Sequence, residues 1–184
     1  NKLTYQQALA FVEETKKYGS ILGLDSIRAL MKELGDVQED LSTIHIAGTN
    51  GKGSVGAMLQ AVLEEAGLKV GRYSSPAVFS YREIWQINGK AVSEEAYAAL
   101  MEKVKTACLT LTENGLPHPT SFEVETAAAF LYFKEEACDV VLLETGMGGR
   151  EDATNLITHP ICSVITSISM DHMPVSYTHL TLPT

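Results

Sequence analysis

The chain has 184 residues, 45% of them hydrophobic and 20% charged, which is the composition of a globular protein rather than a disordered or fibrous one. Its 14 Lys and Arg residues against 23 Asp and Glu residues give a formal net charge of −9, which argues against sequence-independent binding to DNA or RNA, because that needs a basic surface. No apolar run approaches the roughly 18 residues of a membrane span. The three cysteines form no CxxC pair, and Cys138 and Cys162 lie in apolar runs, so we expect buried thiols and a cytoplasmic protein.

The first half of the chain alternates helical and strand patterns. Thr4 and Gln7 have the spacing of a capping box, and Gly67 has the character of a residue that ends a helix. The predicted elements are, in chain order, a helix after Thr4, a helix over 26–34, a strand over 43–47, a helix over 55–66 and a strand over 68–73.

The second half continues the alternation. Asn88 and Gly89 predict a tight turn within a hairpin or long loop over 77–90, and Thr120 with Glu123 forms another capping box. The further predicted elements are a helix over 93–113, a buried helix that includes 127–133, and strands over 140–143 and 161–168 of the kind that is covered on both faces. Strands that alternate with helices predict an α/β fold with a mostly parallel sheet flanked by helices.

The strongest functional signal is a glycine-rich run between a predicted strand and a predicted helix. Glycines let backbone amides turn inward, the helix N-terminus behind them favours anions, and a lysine supplies a mobile cation. We therefore predict phosphate binding rather than a plain turn with a solvated lysine, although the spacing departs from the standard P-loop. The residues are Gly48, Thr49, Asn50, Gly51, Lys52, Gly53 and Ser54.

Three other polar segments, residues 74–76, 144–150 and 169–172, also follow predicted strands directly. Ligands of open parallel sheets bind beyond the carboxyl ends of the strands, so we expect these segments to converge with the glycine-rich run. A hydroxyl, a carboxylate and an imidazole, from Ser75, Glu144 and His172, would suit Mg²⁺ or Mn²⁺ better than Zn²⁺. Taken singly, each of the three could also be an ordinary strand end or a packed side chain.

Together these motifs resemble the folylpolyglutamate synthase/dihydrofolate synthase group of the Mur ligase superfamily. The resemblance extends from near residue 1 to about Met173, and the most specific element is the GGR-x-DATN run that ends at Asn155.

This resemblance implies ATP-dependent ligation of L-glutamate to dihydropteroate or tetrahydrofolate through an acyl phosphate, with Mg²⁺ as cofactor. Lys52 and the amides of 48–54 would bind the ATP phosphates. Ser75 and Glu144 would hold one Mg²⁺, and Glu144 and His172 a second, so that Lys52, Glu144 and His172 are the implied catalytic residues. The implied pterin pocket consists of Phe122, Asp152 and Ala153.

The chain also departs from the family pattern. Ile84 and Trp85 stand where the family usually has a basic residue, and no Lys or Arg follows Arg150, although the family has a carbamylated, metal-binding lysine there. Residues 174–184 do not match the family at all. We therefore expect residues 1–173 to be a partial, C-terminally incomplete Mur-type ATPase domain, inactive and monomeric, with an exposed apolar sheet edge that lowers solubility.

Two alternatives remain at the level of the sequence. One is another Mur-type amino-acid ligase, which would lack the pterin pocket. The other is a non-catalytic nucleotide-binding module, whose affinity for nucleotide would not depend on a pteroate substrate.

Overall fold

A computed structural model describes residues 2–19, 23–75 and 80–168, so the predictions for His172 and for the 174–184 tail lie outside the described residues. The helices are α1 (Tyr5–Thr15), α2 (Asp25–Glu33), α3 (Lys52–Glu65), α4 (Glu94–Glu113) and α5 (Ser121–Glu135). The strands are β1 (Thr43–Ala47), β2 (Val70–Tyr73), β3 (Trp85–Ile87), β4 (Lys90–Ala91), β5 (Val140–Glu144) and β6 (Cys162–Ile165).

The strands form one mixed, mostly parallel sheet in the order β4-β3-β2-β5-β1-β6. The pairs β2–β5, β5–β1 and β1–β6 are parallel, whereas β3 pairs antiparallel with β2 and with β4. The turn between β3 and β4 is made by Asn88 and Gly89, both with positive φ, as the hairpin prediction requires. The predicted α/β fold is therefore confirmed.

The two faces of this sheet are covered unequally. A large core on one face joins the sheet to α1, α2, α4 and α5, and its largest fully buried side chains include Trp85, Tyr97 and Phe133. A smaller cluster on the other face contains Ile46, Val70 and other strand residues and packs against Leu59 and Leu63 of α3. Every residue of β1 is buried, as expected for a central parallel strand.

Helix starts follow the predicted capping chemistry. Capping boxes are present at Thr4 with Gln7 and at Thr120 with Glu123, and the Ser93 side chain caps α4. The Glu123 carboxylate also accepts a hydrogen bond from the Ser26 hydroxyl at 3.0 Å, which ties α2 to α5. No helix in the described part of the chain combines the length and apolarity needed to cross a membrane.

Three predictions about local environment were wrong. Helix α3 begins at Lys52 rather than at residue 55, because Gly51 adopts a left-handed conformation with φ 87° that lets the chain turn directly into the helix. Strand β6 is exposed over most of its length, since among the described residues it pairs only with β1. Cys162, which lies on β6, is exposed for the same reason, whereas Cys108 is buried.

Candidate functional site

The glycine-rich run wraps around the N-terminus of α3 at the carboxyl end of β1. Gly48 has φ 140° and Gly51 has φ 87°, conformations that favour glycine. The Lys52 ammonium folds back and donates a hydrogen bond to the Gly48 carbonyl at 2.8 Å. The loop thus presents a helix N-terminus and a lysine together, which is a combination suited to an anion.

A neighbouring segment that the sequence analysis did not single out holds this loop in place. The Thr49 amide donates to the Ser167 carbonyl at 2.8 Å, and the Thr166 hydroxyl donates to the Asn50 carbonyl at 2.7 Å. A β-carbon added at Gly48 would lie 2.0 Å from Thr166 Oγ1, so a glycine is needed there. The sequence analysis placed these residues inside the strand predicted over 161–168, whereas β6 ends at Ile165 and they follow it.

Glu144 meets the first turn of α3. It is the last residue of β5, opposite Ile46 in the β1 register, and a β-carbon at Gly53 would lie 3.9 Å from Glu144 Oε2. Burial raises the pKa of the half-buried Glu144 carboxyl, while the positive charges of Lys52 and Arg72 lower it. The structure therefore brings Lys52 and Glu144 together, as the sequence predicts.

Arg72 is a member of the same cluster that sequence reasoning missed. Its guanidinium donates to the Gly53 carbonyl at 2.9 Å and to Gln60 Oε1 at 3.4 Å. The signal in the sequence that could have identified Arg72 was a charged residue inside a short strand predicted to lie within the sheet.

Ser75 follows β2 at the same edge of the sheet. Tyr73 of β2 pairs with Leu143 of β5 in the parallel register. Ser75 lies two residues after Tyr73, and Glu144 lies one residue after Leu143, so both are near the carboxyl end of this strand pair. The remaining predicted metal ligand, His172, lies outside the described residues. Within residues 2–19, 23–75 and 80–168, no group of three or more His, Cys, Asp or Glu side chains could hold a metal ion.

A second cluster forms where α5 meets the loop after β5. A β-carbon at Gly146 would lie 2.6 Å from Phe122 Cζ and 3.0 Å from Asp152 Oδ2, so these two predicted pocket residues flank one glycine. The Phe122 ring stacks on Tyr73, with centroids 6.2 Å apart, and Ala153 is buried beside Asp152. An aromatic face and a carboxylate therefore lie side by side.

The Asp152 carboxylate also accepts hydrogen bonds from its own loop. It is 5% exposed and accepts hydrogen bonds from the Thr154 hydroxyl at 2.6 Å, the Thr154 amide at 3.0 Å and the Met147 amide at 2.8 Å. Burial raises the pKa of the Asp152 carboxyl and these donors lower it. Its Oδ2 atom accepts from the Met147 amide and lies next to Gly146.

His45, which carried no predicted role, links the two clusters. Its Nε2 atom lies 2.7 Å from Thr154 Oγ1 and 3.1 Å from Thr145 Oγ1. Burial lowers the pKa of His45 to about 4, so the imidazole is neutral near pH 7. It connects β1 to the loop that carries Asp152.

Curated relatives match nearly the whole chain. The dihydrofolate synthase/folylpolyglutamate synthase of Bacillus subtilis is 41% identical over 172 residues, which are 93% of this chain and 40% of that protein. The Escherichia coli protein of the same name is 36% identical over 164 residues, 89% of this chain and 37% of that protein. This chain thus spans about two fifths of the length of these relatives and matches their N-terminal part. No protein-family model matches it.

Solved structures agree in fold. The apo form of L. casei FPGS aligns with a TM-score of 0.88 and 32% identity over 94% of this chain and 42% of that one. E. coli FolC in complex with DHPP and ADP aligns with a TM-score of 0.84 and 35% identity over 94% of this chain and 40% of that one.

Proposed function

We propose, from the premise that this chain belongs to the folylpolyglutamate synthase/dihydrofolate synthase family, that it forms the ATP-binding part of a ligase. The ligase would join L-glutamate to dihydropteroate, to tetrahydrofolate, or to both. The observation that carries this proposal is the meeting of Lys52 and Glu144 at the carboxyl edge of the sheet, with Phe122 and Asp152 flanking Gly146 in the loop that directly follows Glu144.

Lys52 and the amides of 48–54 would bind the phosphates of ATP. The loop geometry supports this because the N-terminus of α3 and the Lys52 ammonium face one place, where they can neutralise the charge of a transferring phosphoryl group. A substrate carboxylate would attack the γ-phosphorus of ATP, which breaks its bond to the β,γ-bridging oxygen and gives an acyl phosphate and ADP. The amine of L-glutamate would then attack the acyl carbon, release phosphate and form the amide. Relatives of this chain have been solved with ADP and with AMPPCP.

The oxygen donors at this edge fit Mg²⁺. A serine hydroxyl and a carboxylate are hard ligands of the type that Mg²⁺ prefers. Burial raises the pKa of the Glu144 carboxyl, and the charges of Lys52 and Arg72 partly offset this rise. Ser75 and Glu144 would hold one ion, and Glu144 and His172 a second. When bound, the metal would neutralise charge on the β- and γ-phosphates.

Phe122 and Asp152 would bind the pterin. The half-buried Phe122 offers an aromatic face for the ring, and Oδ2 of Asp152 would accept a hydrogen bond from a ring donor, with Ala153 beside it. These features distinguish the proposal from another Mur-type ligase. We further propose that residues 1–173 are the family segment, that the 174–184 tail takes no part, and that the chain alone is cytoplasmic, monomeric and inactive.

The test is phosphate release by a chimera in which residues 2–168 replace the matching segment of the B. subtilis relative. We expect release that requires ATP, Mg²⁺, L-glutamate and dihydropteroate or tetrahydrofolate. Lys52→Ala should reduce kcat/KM at least about 100-fold, because removing one preorganised charge-stabilising donor costs about that much. Glu144→Ala should lower phosphate release and raise the Mg²⁺ concentration that is needed for half-maximal activity. Lys69→Ala, which removes a surface lysine paired with Glu136, is the matched control and should leave activity unchanged.

Two results would contradict the proposal. Full activity in both the Lys52→Ala and the Glu144→Ala chimeras would remove these residues from the site. ATP binding without any turnover on a folate substrate, in a chimera that is folded, would favour a nucleotide-binding module instead.

A further inference from the structure

Arg72 is a half-buried cation in the middle of the sheet. It lies on β2, between β3 and β5, and its neighbours Gly71 and Tyr73 are buried. Its guanidinium donates hydrogen bonds to neutral oxygen atoms, the Gly53 carbonyl and Gln60 Oε1, and its charge also acts on the Glu144 carboxyl. Even partial burial of a charge carries a cost, so the groups near the guanidinium indicate what its charge does.

Gly56 of α3 makes room for this guanidinium. A β-carbon at Gly56 would lie 3.3 Å from Arg72 Nε, which is a tight contact, whereas one at Gly53 would lie 3.8 Å from Arg72 Nη2, an ordinary van der Waals distance. Residues three apart share one face of a helix, so Gly53 and Gly56 both lie on the face of α3 that rests on β2. The guanidinium therefore sits directly beneath the first turn of α3, which is part of the proposed phosphate loop.

The same turn faces Glu144. The β-carbon position at Gly53 is 3.8 Å from Arg72 Nη2 and 3.9 Å from Glu144 Oε2, so both charged groups lie next to Gly53. With Lys52, the cluster carries two positive charges and one negative charge. Without Arg72, Lys52 and Glu144 would balance, and the cluster would no longer favour an anion in a chain whose net charge is −9.

We propose that Arg72 is a positioning residue that supplies a second fixed positive charge beneath the 48–54 loop, so that binding of nucleotide phosphates depends on Arg72 as well as on Lys52. The inference rests on the proposed function, because it assumes that the loop binds phosphate. Arg72 acts through the field at the loop and through its hydrogen bond to the Gly53 carbonyl, and it does not contact the nucleotide.

The test measures the dissociation constant of ADP for the 184-residue chain, by calorimetry, without metal and then with excess Mg²⁺. Arg72→Gln should weaken the binding of metal-free ADP about tenfold, because it removes one positive charge from the partly buried cluster beneath the loop. Arg72→Lys keeps the charge and should remain within about threefold of the unaltered chain. Lys69→Gln removes one positive charge just before the same strand, from an exposed ion pair, and is the matched control with no expected effect.

The outcomes separate the inference from the proposed function. If the Lys52→Ala chain no longer binds ADP and the Arg72→Gln chain binds ADP as tightly as the Lys69→Gln chain does, the role of Arg72 is refuted while the nucleotide site stands. If Arg72→Lys binds as poorly as Arg72→Gln, the role is packing rather than charge, and the inference is again refuted. Failure of the unaltered chain to bind ADP would overturn both the nucleotide site and the role given to Arg72.

Discussion

Glu125 is a half-buried carboxyl that no part of the proposed chemistry uses. It lies on α5, one turn after Phe122, and interacts electrostatically with Tyr73 of β2, Tyr97 of α4 and Lys16 beyond α1. Burial raises the pKa of Glu125 from 4.5 to about 7, against a smaller opposing effect of Lys16. The folded chain therefore holds a proton at Glu125 under conditions in which the unfolded chain has lost it.

This shift predicts a pH-dependent stability. Because the pKa of Glu125 is higher in the folded state, the free energy of unfolding falls as the pH rises from about 4.5 to 7. Glu125→Gln mimics the protonated form, so it should stabilise the chain by about 2 kcal/mol at pH 8, allowing for partial exposure, and have little effect at pH 4.5. Urea unfolding at the two pH values measures the difference.

The matched control for this change is Glu33→Gln, which removes the same charge from an exposed position on α2. It should change the free energy of unfolding by less than about 0.5 kcal/mol at either pH. An equal effect of Glu125→Gln at both pH values would show that the carboxyl ionises normally in the folded chain.

At the scale of elements, the packing of α5 on β2 depends on a glycine. A β-carbon at Gly71 would lie 2.6 Å from Phe133 Cδ1 and 3.0 Å from Phe133 Cε1. Phe133 is fully buried, so its ring cannot swing away into solvent. The absence of a side chain at Gly71 sets how closely α5 packs on the centre of the sheet.

Gly71→Ala should therefore lower the free energy of unfolding by about 1–3 kcal/mol, the usual cost of overpacking a core. Adding Phe133→Leu should recover part of this loss, because the two positions are coupled through one contact. Gly53→Ala, where the nearest atoms are 3.8 Å away, should not lower stability. Additive effects of Gly71→Ala and Phe133→Leu in urea unfolding would rule out the direct clash.

These elements show what the sequence could and could not predict. Strands β1 and β5 and both capping boxes were predictable, because each depends on its own residues. The start of α3 was missed because glycines have low helix propensity, although Gly51 serves as its cap. The exposure of β6 and the place of Arg72 beneath α3 could not be predicted, because they depend on which elements lie next to them in space.

For the whole molecule, the sheet has two unlike edges in the described part of the chain. The β4 edge belongs to a short antiparallel hairpin, whereas β6 pairs on one side only and is flanked by exposed Ile161 and Ile168. An edge of this kind favours association with other chains. The edge proposed to bind nucleotide is different: it is formed by loops after β1, β2 and β5 that lie far apart in sequence and meet at the carboxyl ends of the parallel strands.

The most direct test of this arrangement is a crystal structure of the chain with ADP and Mn²⁺, in which anomalous scattering locates the metal. The account predicts phosphate oxygens within hydrogen-bond distance of the 48–54 amides and of the Lys52 ammonium, with the metal bound by Glu144 and Ser75. Phosphates bound elsewhere, or a metal remote from Glu144, would contradict it.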